Sequence, residues 1–243
     1  MILGLHHHIP AQCFIEIDKA VSQLTHRTVV FNAHNYPSFV PKNSIIFNLE
    51  NVPEQANPAL WAEHEIWDAS LRNISHYPSG LKVTHVPMGY EPSMRRFEKR
   101  PLQDCDIDVV FCGFINDRRM AILNDLRNRG LRVAIPSYNC WGKERDDVIA
   151  RSKIALDMRY YEDGIFPTLR SLHLIANRVP VVAETSLEMP PWVMENVPYN
   201  MLANRVETVL KNERTINDLA TEAENILKKH PLQLPDEPQR QIP

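Results

Sequence analysis

The sequence predicts an α/β protein of two units joined by a linker, with a ligand expected in the cleft between them. Three observations lead there. Apolar, β-branched runs of strand length alternate with segments of helical periodicity in both halves of the chain. A stretch at 91–107, EPSMRRFEKRPLQDCDI, holds two prolines and a cluster of basic residues and breaks that alternation. Finally, 243 residues are enough to bury two cores.

The elements follow in order. MILGLH reads as a short buried strand. Pro10 then opens AQCFIEIDKAVSQLTH, where Phe14, Ile17, Val21 and Leu24 recur at helical spacing. RTVVFNAH and NSIIFNLENV read as the second and third strands, and the helical crossover favours parallel pairing. ALWAEHEIWDASLRNISHY is Trp-rich and reads as helix, and LKVTHVPMGY as strand. After the linker, DVVFCGF is a strand, and DRRMAILNDLRNRG a helix stopped by Gly130. LRVAI is the next strand, KERDDVIARS a helix and KIALDM a strand. Pro167 suits the first turn of a helix running to about Asn177, and VPVVAE is a further strand. From about Met201 to Lys229 the pattern gives two amphipathic helices.

Composition removes several classes. Nineteen prolines stand against seven glycines, and neither GxGxxG nor GxxxxGK[ST] occurs. P-loop ATPases, kinases and classical dinucleotide enzymes are therefore not expected. The formal charge of −3 does not favour broad DNA binding by counterion release. No apolar run is long enough to predict a membrane span, and the N-terminus lacks the basic and small-residue features of a signal peptide. Cys13, Cys105, Cys112 and Cys140 are scattered, the usage of a reducing compartment, and a cytoplasmic location is expected, that of the host if the chain is phage-encoded.

One segment concentrates chemistry: RYYEDGIFPTLRSLHLIANRVPVVAE at 159–184. The helix begun by Pro167 puts Leu169, Leu172 and Ala176 on one face and Arg170, His173 and Asn177 on the other. Free N–H groups at its start, together with Arg170, suit a pyrophosphate. Glu162 and Asp163 would accept hydrogen bonds from sugar hydroxyls. A solvated helix with an acidic flank explains the same residues without a ligand. His6, His7 and His8 follow the first strand and His34 the second, at the strand ends where ligands bind in parallel sheets. A neutral imidazole there would take a proton from a hydroxyl. Three consecutive histidines cannot converge on one ion, and no metal site is expected. DCDID at 104–108 precedes a strand and reads as a strand entry, MRRFEKR at 94–100 as a solvated linker, and NIS at 73–75 as a chance sequon.

The segments DVVFCGFINDRRMAILNDL and SKIALDMRYYEDGIFPTLRSLHLIANRVPVVAE resemble the donor-binding domain of GT-B glycosyltransferases, in the group related to CgeB-type and phage or surface-glycan transferases. FNAH, SIIFNLENV, IWDASLRN and THVPMGY are similar to that group's acceptor-side segments. The resemblance implies two Rossmann-like domains facing a cleft, a short acceptor-side domain at 1–95 and a donor-binding domain with C-terminal helices at 96–243. It implies metal-independent transfer of a sugar from a nucleotide-sugar, UDP-sugar first, to a saccharide or glycoconjugate hydroxyl, with no tightly bound cofactor. Arg170 would neutralise the diphosphate, Gly164 would let the donor approach the backbone, Glu184 would lie near the donor and Tyr138 near the base. Gly113, Arg118, Arg159, Glu162, Asp163 and His173 complete the donor set. His34 is the preferred base and His6 the runner-up. Related sequences often carry Glu where Pro167 stands, and a ribose-binding Glu where His173 stands, so Glu162 or Asp163 would substitute. Two other functions fit the same residues: a phage-type transferase acting on a hydroxylated DNA base, and a non-catalytic nucleotide-binding module.

Overall fold

The computed structural model describes residues 15–25, 27–32, 40–52, 61–137 and 140–235. The chain divides into two units, one holding the described residues up to Ser93 and again from Pro231, the other running from Met94 to His230. The first predicted strand, His6 and His34 lie outside the described residues, as does Tyr138.

Unit 1 begins with helix α1, Ile15–Leu24, which buries Ile17, Ala20 and Val21. Four strands follow: β1 (Val29–Phe31), β2 (Ile45–Asn48), β3 (Glu65–Asp68) and β4 (Val83–His85). They form one parallel sheet in the order β1-β2-β3-β4. Val30, Ile46 and Ile66 pack with Trp61 in one core, while Phe31, Phe47 and Trp67 follow one another along the sheet in tilted and edge-to-face contacts. The helix expected across the Trp-rich stretch is corrected here. Its centre is strand β3, followed only by the four-residue helix α2, Leu71–Ile74, capped by the Ser70 hydroxyl. Apolar Ile66 and Trp67 complete the register between β2 and β4, and sheet pairing overrides the local helical preference.

Unit 2 has a five-stranded parallel sheet in the order β6-β5-β7-β8-β9. Its elements are β5 (Ile107–Val110), α3 (Asp117–Asn128), β6 (Val133–Ala134), α4 (Gly142–Ala150), β7 (Ser152–Asp157), α5 (Thr168–Ala176), β8 (Val181–Glu184), β9 (Glu195–Val197), α6 (Leu202–Leu210) and α7 (Glu213–Lys228). The three-residue β9 has no signal in the sequence. Asn116 caps α3 by accepting from Arg119 N at 3.0 Å, and Gly130 ends its turn at a φ of +84°, where a side chain would be strained. One core joins Val109, Leu123, Leu126, Ile154, Leu156 and Val182 to Val206 and Ile216 of α6 and α7.

Two expectations fail around α5. The segment 94–100 is not a solvated linker: Asn177 Oδ1 accepts from the N–H groups of Arg96 and Phe97 at 2.6 and 3.1 Å. Asn177 Nδ2 donates back to Met94 O at 3.0 Å, and Met94 is fully buried. The helix therefore has no solvent face at His173 and Asn177, which are 4% and 1% exposed. A polar side chain survives burial when its hydrogen bonds are supplied, and the 94–97 segment supplies those of Asn177.

Candidate functional site

Strands β7 and β8 each run through three apolar residues, 154–156 and 181–183, into a charged last residue. β7 ends in Asp157 and β8 in Glu184, both buried. A buried carboxylate is costly without a counter-charge. Four arginines gather at this edge: Arg118 and Arg119 from the first turn of α3, Arg159 just after β7, and Arg170 from the first turn of α5.

Glu184 is held by two of them. Arg118 grips it with both nitrogens, Nη1 to Oε2 at 2.9 Å and Nη2 to Oε1. Arg159 adds Nη2 to Oε1 at 2.6 Å and its backbone N–H to Oε2 at 3.1 Å. Burial pushes the Glu184 carboxyl up, but these hydrogen bonds outweigh it and hold it below its usual range. Tyr199 supports the clamp, its ring 4.0 Å from the Arg118 guanidinium and its hydroxyl donating to Arg118 O at 2.6 Å.

Asp157 and Arg170 form the second pair, Nη1 to Oδ1 at 2.6 Å. Burial dominates Asp157 and pushes it up to about 6, against the pull of Arg170. Its Oδ2 is buried and without a hydrogen-bond partner, as is Arg159 Nε. Gly113, exposed after β5, lies against the same guanidinium: a Cβ there would stand 2.8 Å from Arg170 Nη2. The absent side chain gives Arg170 its place.

Arg119, which the sequence reading passed over, ties the loops together. It is 3% exposed and donates to Phe114 O at 2.7 Å, Met158 O at 2.5 Å and Arg159 O at 3.2 Å. Burial pulls its pKa down to about 9. Asn116 Nδ2 adds a bond to Tyr160 O at 2.9 Å. The rim is aromatic and exposed, with Phe114, Tyr160 and Tyr161, and Glu162 and Asp163 are exposed beside it. Gly164 is buried in the turn, its N–H donating to Tyr161 O at 3.3 Å.

Five of the ten expected donor residues therefore converge: Gly113, Arg118, Arg159, Arg170 and Glu184 are linked by these contacts. His173 does not join them. Its Nε2 faces Asp146 Oδ1 at 3.0 Å, inside a buried group with Arg96 and Arg145. The N–H groups of Thr168, Arg170 and Ser171 are spent on the carbonyls of Phe166 and Pro167, because Pro167 caps the helix with no side-chain acceptor. Three of the N–H groups at the helix start are thus taken, and the guanidinium groups supply the positive charge at this edge. The sequence signal for Asp157 was present, since a carboxylate closing an apolar strand is the pattern shared with Glu184. Among the described residues, no three His, Cys, Asp or Glu side chains are grouped as a metal would need, and no helix is long and apolar enough to cross a membrane.

Two parallel α/β sheets in one chain make the architecture of the GT-B glycosyltransferases. The solved structures similar to this chain include WaaG, a glycosyltransferase involved in lipopolysaccharide biosynthesis, with a TM-score of 0.60 and 11% identity, covering 89% of this chain and 77% of that one. Anabaena HepE in complex with UDP and glucose has a TM-score of 0.61 and 11% identity, covering 88% and 77%. The DNA-modifying enzyme β-glucosyltransferase has a TM-score of 0.55 and 13% identity, covering 94% and 93%. At these identities the likeness shows the fold alone. No family model matches the chain. In sequence it is 28% identical over 156 residues to the uncharacterized protein L140 of Acanthamoeba polyphaga mimivirus, covering 60% of this chain and 51% of L140. It is also 28% identical over 181 residues to the uncharacterized protein L137 of the same virus, covering 68% of this chain and 24% of L137. The chain thus spans about half the length of L140 and less of L137.

Proposed function

We propose that the chain is a glycosyltransferase of the CgeB-like group that moves a sugar from a nucleotide diphosphate, UDP first, to a hydroxyl on a saccharide or glycoconjugate. The observation that carries this is the charge at the strand ends of unit 2. Three guanidinium groups pair with two carboxylates there, a fourth, Arg119, holds the loop carbonyls, and Arg159 Nε and Asp157 Oδ2 are left without partners. Sugar transfer builds negative charge on the departing diphosphate. Prepositioned guanidinium groups stabilise that charge, and those held rigidly by buried carboxylates do so with little reorganisation. Arg170, cleared by Gly113, and Arg159 are the residues assigned to the diphosphate. Glu162 and Asp163 are assigned to hydroxyls of the donor, and unit 1 to the acceptor. UDP is favoured because HepE was solved with UDP and glucose, and the β-glucosyltransferase with uridine diphosphoglucose.

A thermal-shift panel with UDP, GDP, CMP and ADP tests the reading. A ligand at ~100 times its dissociation constant adds about 2.7 kcal/mol, which raises the melting temperature by roughly 5–10 °C at this size. The expected result is a shift with UDP that Arg170→Ala abolishes; no shift with any of the four overturns the donor site. A DNA acceptor is the second reading, favoured by the near-equal extent of the β-glucosyltransferase match. DNA binding that falls steeply with salt would promote it.

A further inference from the structure

The strand ends of unit 1 carry a polar row of their own. Phe31 pairs with Phe47, so Asn32 follows β1 just where Asn48 closes β2. Asn48 pairs with Asp68 at the end of β3, and Asp68 with His85 at the end of β4. Asn32, Asn48 and Asp68 are 1%, 0% and 0% exposed, and His85 is half-buried at the end of the row. Asn32 sits in the left-handed region at a φ of 49°, outside the regular strand.

Asp68 is saturated. It accepts from Asn48 Nδ2 at 2.8 Å, Tyr77 Oη at 2.7 Å, Ser70 N at 2.8 Å and Asn73 Nδ2 at 3.1 Å. The two asparagines are not. Asn48 Nδ2 gives its protons to Asp68 and to Glu50 O at 2.7 Å, which fixes the amide so that Oδ1 is the atom left over. Asn32 Oδ1 accepts from Leu49 N at 2.8 Å, which leaves Nδ2 over. Asn32 Nδ2 and Asn48 Oδ1 are both buried without a partner. Neither amide can flip without losing a bond it already makes.

One donor and one acceptor on neighbouring strands select their ligand by chemistry. A phosphate or carboxylate oxygen would satisfy Asn32 Nδ2 but meet Asn48 Oδ1 as a second acceptor. An ammonium would satisfy Asn48 Oδ1 and oppose Asn32 Nδ2. A hydroxyl does both, accepting from the first and donating to the second. Unpartnered buried polar groups are rare enough to need a reason, and the ends of parallel strands are where ligands bind. We infer that Asn32 and Asn48 bind a hydroxyl of a neutral saccharide on unit 1, with Asp68 and Asn73 as positioning residues. The choice of a saccharide rests on the transferase reading; the hydroxyl specificity rests on the two amides alone.

Saturation-transfer NMR on the full chain tests this, with the methyl glycosides of glucose, galactose, mannose, N-acetylglucosamine and rhamnose as probes and UDP measured in parallel. At least one glycoside is expected to bind, and Asn48→Leu and Asn32→Asp are each expected to weaken it by about tenfold or more. Asn48→Leu strips a donor from Asp68 and risks the fold. Asn32→Asp keeps the left-handed backbone and the bond from Leu49 N but buries a carboxylate oxygen with no counter-charge, so circular dichroism and UDP affinity screen both variants for folding before they are scored. UDP affinity should stay the same in both variants. If UDP binds and no glycoside does, or if a glycoside binds equally well to both variants, the inference falls and the donor site stands. If a glycoside binds, the variants abolish it and UDP never binds, the hydroxyl site stands and the donor site falls. A crystal structure grown with the glycosides that shows only an internal water on the two atoms also overturns the inference.

Discussion

Gly113→Ala is the most exacting test of how Arg170 is held. Gly113 is not among the glycines with positive φ, so alanine adds no backbone strain. Its methyl would meet Arg170 Nη2 at 2.8 Å, Arg170 Cζ at 3.1 Å and the Phe111 ring at 3.3 Å. Ordinary contact needs about 3.5 Å, so the guanidinium must retreat by roughly 0.7 Å. The bond from Arg170 Nη1 to Asp157 Oδ1 is 2.6 Å. A retreat of that size consumes most of the margin between a charge-assisted hydrogen bond and none. Asp157, fully buried, would then lose its hydrogen-bonded cation and keep only the more distant attraction of Arg170 and Arg119. The expected loss of stability is about 1–3 kcal/mol where Asp157 is ionised. The pH dependence gives the sign. Asp157 has its pKa raised in the folded protein, to about 6, so its contribution to stability is present at acid pH and is lost as pH rises through about 6. Weakening the pair raises that pKa further, so the variant should suffer more at about pH 8 than at about pH 5. Urea denaturation at both pH values, with UDP calorimetry on the same samples, reads the effect. Arg170→Ala in the Gly113→Ala background should add little beyond Arg170→Ala alone. Equal stability of variant and parent at both pH values, with unchanged UDP affinity, would refute the reasoning.

Arg119→Met removes a buried donor shared by the carbonyls of Phe114, Met158 and Arg159, the last two keeping the longer bonds from Arg170 and Arg118 at 3.4 and 3.3 Å, and should cost about 3 kcal/mol in urea denaturation. Amide exchange should quicken at 113–116 and 158–161 before it does in the core strands. Glu184→Gln breaks two buried ion pairs and should cost roughly 3–5 kcal/mol at neutral pH. Because the folded pKa of Glu184 is depressed, its stabilisation is present above the ordinary carboxyl range and lost as pH falls below it. Glu184→Gln should therefore flatten the acid limb of the stability profile, and an unchanged limb would count against the clamp.

Strand and helix alternation was legible in the sequence wherever an element buries a continuous apolar run, as in KIALDM and VPVVAE. It misled at EIWD, where four residues hold a central strand because both neighbours in register are strands, a fact no local pattern contains. It also misled at His173 and Asn177, whose helical spacing suggests a polar face. The 94–97 segment covers Asn177, and Asp146, Arg145 and Arg96 meet His173, from far away in sequence. Arg170, Arg159, Arg118 and Glu184 were legible as charged residues near strand ends. That Arg118 and Arg159 would be bound to Glu184 was not, since the pairing spans three separate loops. Arg119 was missed because an arginine at a helix start reads as surface, and only the carbonyls of two loops make it interior.

The chain leaves unit 1 after Ser93 and re-enters it at Pro231, where Leu232 N donates to Tyr90 O at 2.8 Å. During synthesis, every residue of unit 2 is therefore made before the partner of Tyr90 exists. The bridge of unit 1 must therefore wait for translation to pass residue 232. A chain truncated just short of Pro231 would thus carry all of unit 2 while lacking that bond of unit 1.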